Sequence, residues 1–233
     1  KGNKEALCLM KLINDWKGKQ SVNLMRRIRG ELTIERVCLL MNIVPCKQLD
    51  LRHNYIEYAD ALLLSDALKS NTTLVELNLK RNNIGDTGAT SLSEALKTNT
   101  ALTQLNLGDN NIGYTGATSL SEALKTNTAL AILHLSGNNI GDRGAISMSD
   151  ALKSNTTPTQ LDLSANNIGD TGASSLSDTL KSNTTLTKLN LSTNKIGEAV
   201  AKSLSDALKS NTTLTKLDLS REHKRSTQMV SII

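Results

Sequence analysis

Apolar and polar positions recur along most of the chain with a period of 28 residues. The unit that begins at Leu74 reads LVELNLKRNNIGDTGATSLSEALKTNTA. Related units begin at 46, 102, 130, 158 and 186, and a truncated one begins at 214. A fixed period of this length predicts that each unit is one structural module stacked on its neighbours.

Each unit opens with the pattern L-x-x-L-x-L-x-x-N. Leu77 and Leu79 are two residues apart, which places both on one face of a short strand. The polar residues between and beside them then point into solvent. Asn82 follows the strand and recurs in every full unit. Its buried amide is expected to bond to backbone groups that the bend after the strand leaves free, so that an asparagine ladder forms along the stack.

The second half of the unit predicts a turn and a helix. Gly85 permits a tight turn, and Asp86 or Thr87 is placed to cap the following helix. Alanine and leucine at helical spacing over 89–96 form one apolar face that packs on the strand layer. Asn99 follows, where a left-handed C-terminal cap is common.

The turn and helix motif, N-x-I-G-D-x-G-A-x-x-L-x-x-A-L-K-x-N, resembles the leucine-rich repeat of the ribonuclease-inhibitor-like class. The resemblance covers roughly residues 46–220. It implies an α/β solenoid, a curved horseshoe with seven parallel strands on the concave face and helices on the convex face. Within the class, the unit is similar to the intracellular arrays of NOD-like receptors and to Ran GTPase-activating proteins. It departs from ribonuclease inhibitor itself, which is rich in Cys and alternates units of two lengths.

Residues 1–45 precede the array. Residues 5–16 and about 21–41 show apolar residues at helical spacing, and Pro45 ends the second stretch. We expect a helical cap or the tail of a preceding domain, because an open solenoid end exposes its core. The chain does not begin with Met, which is compatible with a fragment. Residues 221–233 are basic, lack the repeat and are expected to be poorly ordered.

The net charge of +5 arises from residues 1–45, because the remaining residues hold equal numbers of acids and bases. The array itself is therefore not expected to bind nucleic acid. Arg26, Arg27 and Arg29 fall short of the roughly 4–8 charges that mark lipid binding, so we interpret them as a solvated helix face. No apolar run reaches the roughly 18 residues of a membrane span, and no signal peptide is recognised. The three Cys lack disulfide or zinc spacing, and we expect a cytoplasmic, monomeric protein.

The outward side chains of the predicted strands are the candidate contacts for another protein, because a concave parallel sheet presents a ready surface. They are Gln48, Asp50, Arg52, Glu76, Asn78, Lys80, Gln104, Asn106, Ile132, His134, Gln160, Asp162, Lys188, Asn190, Lys216 and Asp218. Tyr114 is a candidate contact at the edge of the array. Binding hot spots are enriched in Trp, Tyr and Arg, so this polar set has no obvious high-affinity centre.

No nucleophile–base pair, metal cluster or phosphate loop is present in the sequence, so we expect neither catalysis nor a cofactor. His134 is predicted to face solvent, with Asp162 as a possible partner one unit away. The N-T-T sequences that begin at Asn71, Asn155, Asn183 and Asn211 are formal glycosylation acceptors, which we interpret as turn chemistry.

The expected function is a non-enzymatic protein–protein interaction scaffold, the recognition array of a protein of the NOD-like-receptor type. Two alternatives remain open. In the first alternative, the chain is a Ran-type GTPase-activating protein. In the second, the array supports or autoinhibits an N-terminal domain that precedes it.

The Leu133→Asp substitution is expected to unfold the neighbouring units, because it buries an unpaired charge in the core. Thermal denaturation followed by circular dichroism measures the effect. The adjacent His134→Ala substitution is the control and should leave the melting temperature unchanged. A loss of several degrees in the control would show that the two strand faces are reversed.

Overall fold

The computed structural model describes residues 10–28 and 32–220. Its strands are β1 (Ser21–Asn23), β2 (Gln48–Asp50), β3 (Glu76–Asn78), β4 (Gln104–Asn106), β5 (Ile132–His134), β6 (Gln160–Asp162), β7 (Lys188–Asn190) and β8 (Lys216–Asp218). Its helices are α1 (10–16), α2 (Ile34–Ile43), α3 (Tyr58–Ser70), α4 (Gly85–Leu96), α5 (Tyr114–Thr126), α6 (Gly141–Ser154), α7 (Asp170–Leu180) and α8 (Glu198–Ala207).

The strands form one parallel sheet in sequential order from β1 to β8. Leu49 pairs with Leu77 and Leu77 with Leu105, so the register advances by one unit at each step. From α2 onward, each helix packs against the helix of the next unit. The predicted α/β solenoid, with strands in one layer and helices in the other, is confirmed.

The predicted number of strands is wrong, and the helix predicted over about 21–41 is confirmed only in its second half, where α2 lies. The sheet has eight strands rather than seven, and β1 lies within the stretch that was expected to be helical. Val22 and Leu24 are both buried, and the backbone N–H of Leu24 donates to the carbonyl of Asp50. The interpretation of 1–45 as a separate cap stays a prediction. Residues 221–233 lie outside the described part of the chain.

A strip of leucine and alanine between the two layers forms the core. Leu77 and Leu79 from β3 meet Leu92 and Ala95 from α4, and all four are almost completely buried. A fully buried Leu contributes about 1.5–3 kcal/mol relative to an exposed one, so the strip provides most of the stabilisation. Leu133 is also buried, which confirms the predicted assignment of the strand faces.

The asparagine that follows each strand from β2 to β7 bonds to its own unit and to the preceding one, and Asn54, Asn110 and Asn166 also bond to the following unit. The Nδ2 of Asn110 donates to the carbonyl of Leu79 one unit earlier, at 2.9 Å, and to that of Gly108, at 3.0 Å. Its own backbone N–H donates to Oδ1 of Asn138 in the next unit, at 3.0 Å. The predicted asparagine ladder is confirmed, and it comprises Asn54, Asn82, Asn110, Asn138, Asn166 and Asn194.

A second asparagine ladder runs along the ends of the helices, where the predicted left-handed cap at Asn99 is wrong. Asn99 is absent from the residues with positive φ, and the equivalent Asn127 is extended. The Nδ2 of Asn99 donates to the carbonyls of Leu68 and Asn71 in the preceding unit, at 2.7 and 2.9 Å. The side chain thereby satisfies a carbonyl that the end of the preceding helix leaves free.

The same geometry accounts for the N-T-T sequences. The amide nitrogens of Asn71, Asn155 and Asn183 are the atoms that glycosylation would modify, and each is buried as a hydrogen-bond donor. The partly buried Asn211 makes the same bonds, and the interpretation of these sequences as turn chemistry stays a prediction.

The Asn110→Ala substitution should lower the free energy of unfolding by about 3 kcal/mol, because several buried backbone groups lose their partner. Asn83→Ala is the matched control, since Asn83 is exposed and its side chain bonds, among residues 10–28 and 32–220, only to Asn111. Urea denaturation should show a change below about 1 kcal/mol for the control. Equal effects of the two substitutions would contradict a structural role for the ladder.

Candidate functional site

The sixteen predicted strand-face residues all lie on the side of the sheet away from the core, and none is buried. They form two columns of seven residues that run across the sheet, one residue per unit in each, and a third column that begins with Arg52 and Lys80. We call this surface the strand face. Within it, Gln48 Nε2 donates to Glu76 Oε2 at 3.0 Å, so side chains of neighbouring units reach one another. Their role in binding a partner stays a prediction.

The middle column has a structural role that the sequence analysis missed. The Oδ1 atom of Asp50 accepts the backbone N–H of Arg52 at 3.1 Å, and Asn106 accepts that of Gly108 at 3.0 Å. The same bond recurs at Asn78, Asp162, Asn190 and Asp218. Short polar side chains often bond to backbone two residues on, so the recurrence of Asn and Asp in this column was the available signal.

His134 replaces Asn or Asp in the middle column and lies beside Asp162. Its Nδ1 is 3.8 Å from Oδ2 of Asp162, an electrostatic contact longer than a hydrogen bond. Burial by itself would raise the pKa of the Asp162 carboxyl. His134 and the hydrogen bonds from Ser164 outweigh burial and lower that pKa. The arrangement stabilises a carboxylate on the strand face.

The cations of the third column are held by carboxylates. Arg52 makes a forked contact with Asp50, with Nε–Oδ1 at 3.0 Å and Nη2–Oδ2 at 2.7 Å. Lys80 Nζ lies 3.5 Å from Oδ2 of Asp109, and Arg81 Nε lies 3.4 Å from the same oxygen. One carboxylate therefore faces two cations.

The residue directly after this column has a left-handed backbone in every unit from β1 to β7. These residues form a fourth column, which the sequence analysis also missed: Arg26, His53, Arg81, Asp109, Gly137, Ala165 and Thr193, with φ between 52° and 67°. We call the loops from strand to helix the loop edge. The first three members of the column are basic residues, and the last three are small and uncharged.

Tyr114 lies on the loop edge at the start of α5 and is half exposed. The Cζ of Arg143 lies 5.4 Å from the centre of its ring, within the range of a cation–π contact. The predicted position at the edge of the array is confirmed, whereas a role in binding stays a prediction.

The predicted capping of α4 by its own Asp86 or Thr87 is wrong. The Oδ1 of Asp86 accepts the backbone N–H groups of Gly113 and Gly116, at 2.7 and 2.8 Å, and so caps α5 in the next unit. Asp142 caps α7 in the same way, and Asp170 bonds to Gly197 at the start of α8. These carboxylates stabilise the unit that follows their own.

Tyrosine replaces this aspartate in two units, and the next helix then begins differently. Tyr58 lies at the start of α3, one unit before α4, and Tyr114 lies at the start of α5, one unit before α6. In both cases the helix starts with a left-handed glycine, Gly85 or Gly141, with φ of +62° and +61°. The N–H of Gly85 donates instead to the carbonyl of Asn110. The two tyrosines thus stand where a capping carboxylate stands in other units, and the next helix lacks that cap.

The described residues offer little reactive chemistry. Burial raises the pKa of the Cys38 thiol to about 12 and that of Cys46 to about 11, so both stay protonated near neutral pH and are poor nucleophiles. Within 10–28 and 32–220 there is no group of three or more His, Cys, Asp or Glu side chains placed to hold a metal ion. No helix in these ranges has the length and apolar character to cross a membrane.

A family model described as "Leucine Rich repeat" matches residues 70–93, 98–121, 126–149, 154–177 and 182–205, which together exceed half of the chain. The chain belongs to the leucine-rich-repeat family. The asparagine ladders and the one-strand, one-helix unit are therefore features of a leucine-rich-repeat array.

Three solved structures are similar to this leucine-rich-repeat chain. The structure titled "Leiomodin-1 Actin-Binding Site 2" has a TM-score of 0.51 and 28% identity, over 57% of this chain and 78% of that one. The tropomodulin C-terminal domain of Caenorhabditis elegans has a TM-score of 0.45 and 14% identity, over 89% and 92% of the two chains. An internalin (inlF) of Listeria monocytogenes has a TM-score of 0.43 and 19% identity, over 82% and 57%. No curated protein matches the chain.

Replacing Tyr114 by Asp should raise the free energy of unfolding by about 1 kcal/mol, because the new carboxylate can cap α6 as Asp86 caps α5. Tyr114→Ala is the control, since it removes the ring and its contact with Arg143 without adding an acceptor. Chemical denaturation measures both variants. Stabilisation by Ala to the same extent would show that relief of the tyrosine, rather than capping, is responsible.

Proposed function

We propose that this leucine-rich-repeat protein is a non-enzymatic scaffold that binds another protein through its strand face. The observation that carries the proposal is the first column of that face. Its members change from Gln48 and Glu76 to Ile132, Lys188 and Lys216, while the buried leucines beneath them repeat. A rigid frame that presents a varied row of side chains is suited to recognising an extended protein surface.

The finer identity that we propose is an intracellular recognition array of the ribonuclease-inhibitor-like class, of the NOD-like-receptor type, cytoplasmic and monomeric. The sequence of the repeat supports this proposal. A Ran-type GTPase-activating function and an autoinhibitory support for an N-terminal domain are the alternatives. The scaffold is favoured over the GTPase-activating function because turn residues such as Asp86 and Gly113 bond neighbouring units to each other. These turns therefore have a structural role rather than the role of a specialised loop that acts on a GTPase.

Actin is the first partner that we propose to test. The leiomodin-1 structure carries the words "Actin-Binding Site 2" in its title, and its 28% identity extends over more than half of this chain. That protein's binding is a reason to test actin here, since the fold alone supports many different partners.

Co-sedimentation of the full chain with actin filaments tests the surface and the partner together. The Gln104→Arg/Gln160→Arg variant adds bulk and charge to the strand face. The control variant, Thr100→Arg/Thr128→Arg, adds the same charge at exposed loops that lead from helix to strand. We expect the strand-face variant to bind at least about tenfold more weakly, a loss of about 1.4 kcal/mol, and the control to bind normally.

A photo-crosslinking amino acid separates the scaffold from the choice of actin. Placed at Gln104, it should crosslink a protein partner in a cell lysate, whereas placed at Thr100 it should not. If the wild-type chain fails to bind actin but crosslinks at Gln104, actin is the wrong partner and the scaffold stands. Crosslinking at Thr100 alone would overturn the strand face as the binding surface.

A further inference from the structure

We propose that Arg26, His53, Tyr55 and Arg81 form a docking site for an acidic segment of the partner protein. We call this site the basic cleft. The inference rests on the scaffold function proposed above and deepens it, because it specifies the chemistry of the partner and the end of the array that it contacts.

The basic cleft is built by three consecutive units at the loop edge. The four side chains line an open cleft of about 270 Å³. Backbone N–H groups of Arg26, His53 and Arg81 donate to the carbonyls of Arg52, Lys80 and Gly108 in the following units, at 3.1, 3.2 and 2.8 Å. Since adjacent strands lie about 5 Å apart, the three residues form a row about 10 Å long on a fixed backbone.

The positive charge of the cleft is only partly neutralised. Arg81 shares the single carboxylate of Asp109 with Lys80, and Arg52 is paired with Asp50. Within the described part of the chain, the side chains of Arg26 and His53 have neither an ion pair nor a hydrogen bond. Residues 46–220 hold 15 Lys and Arg against 17 Asp and Glu, so an excess of positive charge at this edge is local.

The protonation of His53 responds to the same charges. Burial lowers the pKa of its imidazole, and the positive charges of Arg26, Arg81 and Arg52 lower it further, while Asp109 acts in the opposite direction. An imidazole with a lowered pKa is neutral at pH 7. A bound anion would favour its protonation, because the added negative charge offsets the surrounding cations.

Tyr55 favours a peptide over a free inorganic anion as the occupant. Its ring is 80% exposed and borders the cleft, and Tyr58 at the start of α3 is also exposed. Tyrosine and arginine are enriched in binding hot spots, where the ring supplies contact area to a polypeptide. Carboxylates on alternate residues of an extended peptide are about 7 Å apart, a spacing that fits along the row.

Fluorescence anisotropy with the full chain tests the site. The probe is a fluorescein-labelled octapeptide of alternating Glu and Ser, and the neutral reference is the same peptide with Gln in place of Glu. Arg26→Gln/Arg81→Gln should weaken binding of the acidic probe at least about tenfold, as expected for the loss of two charged contacts. The control, Lys195→Gln/Lys202→Gln, removes the same charge at exposed lysines that lie at the far end of the array and outside the strand face, and it should change binding less than about twofold.

Two further readouts distinguish docking of a peptide from general attraction of anions. Binding should strengthen as the pH falls from 8 to 5.5, because the probe carboxylates, with pKa values near 4.3, stay ionised while His53 gains a proton. His53→Gln should abolish this dependence. Tyr55→Ala should weaken binding of the peptide several-fold and leave the affinity for inorganic phosphate unchanged.

The proposal is overturned if inorganic phosphate binds as tightly as the peptide, if an oligouridylate binds more tightly, or if the far-end control loses as much affinity as the cleft variant. These outcomes are independent of the scaffold function. A protein that crosslinks through Gln104 but does not bind the acidic probe remains a scaffold whose partner is recognised without the basic cleft.

Discussion

The structure depends on hydrogen bonds that buried asparagines exchange between neighbouring units. The side-chain amide of Asn110 donates one hydrogen bond to a carbonyl of its own unit and one to a carbonyl of the unit before it. Asn99, at the ends of the helices, also donates to carbonyls of the unit before it. One unit in isolation would leave these groups without partners. Each buried polar group without a partner costs about 1–3 kcal/mol, so the units are stable only when stacked. The two ladders also fix the length of the unit, since inserting a residue between them would shift one ladder against the other.

This dependence on neighbours determines where the surface is free to vary. The middle column of the strand face uses Asn or Asp to hold the end of each strand, as Asp50 does for Arg52, and so has little freedom. The first column and the fourth column make few side-chain bonds within the frame. Differences in charge and size accumulate there, in the lysines at 188 and 216 and in the basic row at 26, 53 and 81. The candidate surfaces are therefore the positions that the stacking does not use.

Sequence reasoning succeeded for the buried strand face and for the asparagine ladder, and it failed for the helix caps, whose partners lie one unit away. The alternation of Leu77 and Leu79 identified the strand and its buried face. The local rules for helix caps misplaced Asp86 and Asn99, because both side chains bond across a unit boundary. The strand at Val22 was missed because it pairs 27 residues before Leu49, outside the strict period, and because its apolar residues also fit helical spacing. The left-handed column was equally hidden, since its backbone donors bond to carbonyls of the following unit.

The tyrosines of the loop edge show how such a frame accommodates a functional surface. An aspartate at either position would cap the next helix, as Asp86 does, yet Tyr58 and Tyr114 occupy these places, and α4 and α6 begin with a glycine in the left-handed conformation. An exposed ring gains little from burial, so stability does not explain either residue. Sites that break a local rule of folding without an evident structural gain are the expected places for function. Tyr58 lies three residues after Tyr55 of the basic cleft. The missing cap of α4 and the partly neutralised positive charge of the cleft are therefore at the same end of the array. Both features favour that end of the loop edge as the place where a partner is bound.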